Sequence, residues 1–138
     1  MKSGRAWAPF RYANSLRDLL PLLHQLRPEA VRQVEAAAAQ VWDAPPEQRP
    51  ATREAARASV AALRGVAIAA AERLAVQPPG PPGWEARQAK AKAYLDAQVK
   101  SLDLLLRMLE DDTAPDPRAR MEWEESRQEV DKLLEEAK

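Results

Sequence analysis

Proline sits at the joints of this chain and, Pro21 apart, stays out of its long periodic stretches. Inside a helix, proline removes a backbone donor and clashes with the carbonyl four residues earlier; at a helix's first position neither penalty applies. Pro28, the pair Pro45 and Pro46, Pro50, the run QPPGPPG at 77–83 and the run DDTAPDP at 111–117 therefore cut the chain into segments. Each segment carries apolar residues at helical spacing. Helices are predicted over approximately 14–26, 28–43, 50–76, 84–111 and 117–137, preceded by an N-terminal arm at 1–13.

Asn14 is placed to cap the first helix, whose Leu16, Leu19, Leu20, Leu23 and Leu26 share a face, with Pro21 predicting a kink or a late start. Val31, Val34, Ala38 and Val41 form a narrow stripe on the second, with Trp42 at its edge. The third repeats Val60, Leu63, Ala67, Ala70 and Leu74 at heptad spacing, widened by Ala56, Ala62, Val66 and Ala71, with Thr52 as a secondary cap. Gly65 in that helix costs about 1 kcal/mol relative to alanine and predicts a tight helix crossing. In the fourth helix Leu95, Val99, Leu102, Leu106 and Leu109 form a seam beside Tyr94, Leu105 and Met108; Leu104 and Leu105 are spare positions for self-association. The fifth, with Trp123, Val130, Leu133 and Leu134 on one side, is the most acidic and least apolar. The proline-rich 77–83 run reads as a stiff interhelical turn, with its PPxPP spacing also resembling a ligand for SH3-type domains.

At ~1.5 Å per residue the third and fourth helices are each roughly 40 Å long, and the first two laid end to end match them. Short connections favour antiparallel neighbours. The expected fold is all-α: an up-down four-helix-type bundle, its first rod kinked or split near Pro28, forming one domain over 14–138. Hydrophobic residues make up 46% of the chain, much of it alanine, which predicts a thin core with closely spaced helix axes.

Reactive side chains are scarce. With no cysteine and one histidine, His24, the chain lacks a thiolate site, and Glu-x-x-His metal pairs of the di-iron bundle type cannot be built twice. Ser3, Ser15, Ser59, Ser101 and Ser126 lie in no nucleophile-elbow context, and no phosphate-binding glycine loop is present. Glu54, Glu72 and Glu122 are carboxylates that a bundle interior could use. The expectation is a protein that is not an enzyme and uses no cofactor or metal. No apolar run reaches the ~20 residues of a membrane span, and the basic N-terminus has no apolar run after it. A cytoplasmic location without membrane contact is expected.

The most specific segment is the arm and its exit. Lys2, Arg5, Arg11 and Arg17 alternate there with Trp7, Phe10 and Tyr12. Such residues strap a chain onto its own bundle, anchor it on a partner protein, or grip phosphates and stack on bases. Charge is also polarised: residues 1–27 hold five basic groups and one acidic, whereas 110–138 hold eleven acidic and five basic. A basic and an acidic end can meet within one chain or between copies. The acidic group Glu124, Glu125 and Glu129 reads as a solvated face partly paired with Arg127 and Lys132. The four tryptophans lie near segment ends, where rings plug a bundle or face a partner.

These features point to a non-enzymatic protein–protein interaction module: an adaptor, a regulator or a small helical subunit of a larger assembly. Its expected contact residues are Arg5, Trp7, Phe10, Arg11, Tyr12, Arg17, Trp123 and Glu124, and a homo-oligomer is among its expected states. The alternative is a small nucleoprotein subunit that holds a nucleic-acid backbone through the arm.

Overall fold

The computed structural model describes residues 17–110 and 115–137, and among these every regular element is helical. α1 covers 17–25, running through Pro21 without a break. Leu26 turns back, with its N–H on the Leu23 carbonyl at 3.1 Å, and Arg27 is extended. Pro28 then opens α2 (Pro28–Ala39), which needs no donor from it at that position. α2 tightens into a 3-10 turn, Gln40–Asp43, before Pro45 and Pro46, so the second rod does not stay α-helical to 43.

α3 (Arg49–Ala75) has Pro50 in its first turn. Thr52 does not cap it: its hydroxyl donates back to the Gln48 carbonyl at 3.0 Å. The 77–83 run follows, ending on Gly83 in the left-handed region (φ +86°). That conformation suits glycine, and a Cβ there would come within 3.1 Å of the Arg87 guanidinium. α4 (Trp84–Met108) starts immediately after it and ends at Met108, short of 111. α5 (Pro117–Ala137) is capped by Asp116, whose carboxylate accepts from the Ala119 N–H at 2.7 Å.

α3 and α4 run in opposite directions. Gln88, in the second turn of α4, donates to the Leu74 carbonyl near the end of α3 at 2.7 Å, while Arg64 pairs with Asp103 further down both helices. Between them Ala56, Val60, Leu63, Ala67, Ala70 and Leu74 meet the buried leucines of α4. The alanines let the two axes come close. α5 packs along the other side of α4, and α2 along α3. The backbones of α2 and α5 scarcely approach each other, and long side chains bridge the gap.

Four readings of the helix faces are corrected. Leu20 is 58% exposed, so the first apolar face rests on Leu19 and Leu26. The α4 seam is rotated: Gln98, Ser101 and Leu105 are buried, while Val99 and Leu106 are only half-buried. α4 touches both α3 and α5, so its covered arc is broader than one seam and includes polar positions. Leu105 is therefore core rather than spare surface. Gly65 marks no crossing among the described residues, since a Cβ built on it meets none of them within 4 Å.

Candidate functional site

Arg5, Trp7, Phe10, Arg11 and Tyr12 lie outside the described residues, as do Lys2 and Asn14. Arg17, the first described residue of α1, is exposed. On α5, Trp123 is half-buried and Glu124 next to it faces solvent, so these neighbours do not share a surface. Arg127 does not join the acidic group on its own helix. It crosses to α2, where its Nε lies 2.8 Å from Glu35 Oε2, and its guanidinium sits 5.8 Å from the Trp123 ring centroid. Arg120 covers Trp42 in the same way at 5.6 Å. The indole N–H groups of Trp42 and Trp123 are both buried without an acceptor.

The α2–α5 gap is thus a polar seam. Glu35 is 7% exposed, and burial raises its pKa above the ordinary 4.5; Arg127 partly offsets this and Asp131 adds to it. Tyr94 on α4 faces the same seam, and its pKa is also raised, chiefly by burial and then by Asp131. The cleft they line, with Gln98 and Ser101 at its base, has a volume of about 20 Å³. That is room for one water and not for an organic substrate. Among the described residues, no three ligating side chains converge in a way that could hold a metal ion. Glu54, Glu72 and Glu122 all face solvent, as does His24 beside Arg27.

A wider concavity lies outside α3 and α4, and a third, of about 160 Å³, lies beside Leu74, Ala75 and Gln88 where α3 ends and α4 begins. The wider one is an open trough of about 700 Å³ with Ala58, Ala61 and Leu106 on its floor. Arg57 and Glu54 stand on the α3 rim, Arg107 and Glu110 on the α4 rim, and the Arg64–Asp103 pair closes one end. α3 is apolar on two opposite sides. Its inner row is the heptad from Ala56 to Leu74; its outer row is Ala58, Ala61, Gly65 and Ile68, bounded by Glu54 and Glu72 at the same spacing. Sequence reasoning missed this outer row because alanine and glycine read as filler. It missed Glu35 because the eye follows the valines, although a carboxylate between Val31 and Ala38 on an apolar face is itself a signal of a buried partner.

Comparison of the chain with protein-family models, with curated proteins and with solved structures finds no match. Among the described residues no helix is long and apolar enough to cross a membrane.

Proposed function

We propose that this chain is a non-enzymatic protein–protein interaction module: an up-down four-helix bundle with a basic aromatic N-terminal arm, acting as an adaptor, a regulator or a small subunit of a larger assembly. One observation carries the reading. The roomy concave surface is a solvent-open trough with a small-residue floor and charged rims, while the interior cleft has space for a single water. Helices with small residues outward accept another helix at close range. Cytoplasmic location and use of the arm as a partner anchor belong to the same reading.

The test is cross-linking of the full chain in its native source, followed by mass spectrometry of the linked peptides. Links from a partner should converge on α3, α4, α5 or the arm. Recovery of an uncrosslinked monomer sinks the proposal. Salt-sensitive nucleic-acid binding that is lost on removing residues 1–12 replaces it with the nucleoprotein reading.

A further inference from the structure

We infer that the proline joint at 77–83 is a docking segment, taken up as a polyproline II ridge by a partner protein whose groove is lined with aromatic rings. The inference rests on the interaction-module reading and names the class of partner.

The backbone is the first argument. Proline fixes its own φ and steers the residue before it to an extended ψ. Gln77, Pro78, Gly80 and Pro81 each precede a proline. The Trp84 N–H on the Pro81 carbonyl at 3.0 Å, with Gly83 at φ +86° and ψ 0°, closes a type II turn, which keeps Pro82 extended as well. Polyproline II has three residues per turn, so in that conformation Pro78 and Pro81 share one edge and Pro79 and Pro82 another. Reversing the chain calls only for the Pro82–Gly83 pair. Pro78, Pro79 and Pro81 go beyond that need.

Exposure is the second argument. Pro79, Pro81 and Pro82 face solvent, and Val76 just before the joint is 76% exposed. They form an apolar ridge where α3 ends and α4 begins. The Arg87 guanidinium lies on the Pro81 and Pro82 carbonyls at 3.5 and 3.4 Å. The carbonyls of Gln77, Pro78, Pro79 and Gly80 accept no hydrogen bond from any described residue. The ridge is thus apolar in its side chains and open as an acceptor along its backbone.

That combination selects the partner. Four of the seven positions have no N–H, so a β-strand of another chain cannot pair along the joint. Charge favours nothing: exposed Arg73 and Arg87 stand beside exposed Glu72 and Glu85, which leaves no basic field for a nucleic-acid backbone. Tryptophan and tyrosine supply both things the ridge lacks. Their ring faces pack on pyrrolidine, and indole N–H and phenol O–H groups donate to the free carbonyls. The segment arrives with its proline φ angles set, so little ordering entropy is lost on binding. Both of its ends are held by helices, so the groove must be shallow and open at both ends.

The experiment is amide-shift titration of isotope-labelled SH3, WW and EVH1 domains with the unlabelled full-length chain. At least one class should bind, with its shifts clustered on the ring-lined groove, and a synthetic peptide of residues 74–87 should displace the chain. Pro79→Ala with Pro82→Ala should weaken binding about tenfold or more, while circular dichroism checks the helices. Both sites face solvent. Should the alanines loosen the joint, the peptide carrying the same replacements repeats the test with no fold to lose. Binding that survives the alanines, shifts that fall away from the groove, or no binding by any of these domains overturns the inference. Light scattering of the chain alone covers the other occupant: a dimer that the same alanines abolish assigns the ridge to a second copy and overturns it too. Native-source cross-links that land away from the joint then leave the broader reading standing, and their absence removes both.

Discussion

The α3–α4 pair and the α2–α5 seam solve the same problem, closing two helices on each other, with opposite chemistry. α3 and α4 use alanine, valine and leucine, bring their backbones together, and keep their cross-pair of charges, Arg64 and Asp103, at the surface. α2 and α5 stay apart and fill the gap with Trp42, Trp123, Arg127 and Glu35. The first interface draws on buried apolar area, which is non-directional and tolerant. The second draws on pairing, which is directional and intolerant of a missing partner. The lesson is that loss of one residue in the seam should hurt out of proportion to the seam's modest contact, and loss of two should not.

The largest expected effect is in the apolar pair. Leu102, 1% exposed, replaced by alanine should lower unfolding stability by about 2–5 kcal/mol in urea titration. Next is the seam. Arg127→Met alone strands the Glu35 carboxylate; since the Arg127 side chain is 37% exposed, solvent moderates the loss to about 1–3 kcal/mol. Glu35→Leu with Arg127→Met together should return to within about 1 kcal/mol of the starting protein or exceed it. A double variant as weak as Arg127→Met would erase the contrast between the two interfaces.

The pH dependence follows the same line. The folded-state pKa of Glu35 lies above its unfolded value, so the stability it contributes is fully present below 4.5 and is lost as pH rises through the folded value. The deficit of Arg127→Met should therefore shrink at acid pH. For Tyr94 the contribution is complete below 10.0 and disappears as pH rises through its raised folded value; Tyr94→Phe should flatten alkaline denaturation curves. Smaller still, Gly65→Ala should raise stability by about 1 kcal/mol, measured on the dilute protein, since its methyl enters open space. Trp123→Phe, which deletes an unpartnered N–H along with some buried area, should change stability by less than about 1 kcal/mol.

How far the sequence could be read follows from that contrast. Pro28 at the first position of α2, Pro50 in the first turn of α3 and the heptad of Val60, Leu63, Ala67, Ala70 and Leu74 obey local rules, and the all-helical architecture follows from them. Gln98 is buried because α4 is covered from both sides, which no single-helix pattern encodes. Glu35 is buried because Arg127, ninety-two positions later, reaches it. The trough is a property of two helices side by side: Ala58 and Ala61 belong to a row legible in α3, but nothing in the pattern of α4 marks Leu106 as their neighbour. The aromatic positions of the arm fall outside the described residues and stay at the level of sequence.

The joint at 77–83 has a kinetic meaning. Four of its residues are prolines whose φ is set before folding starts, and Gly83 completes the reversal with the Trp84 N–H on the Pro81 carbonyl at 3.0 Å. Little chain entropy remains to be lost there when the strand of synthesis folds back on itself. The hairpins α3–α4 and α4–α5 are both local, and the preset joint at 77–83 favours the first, so α3 and α4 are expected to pair early, with α2 docking onto a finished surface.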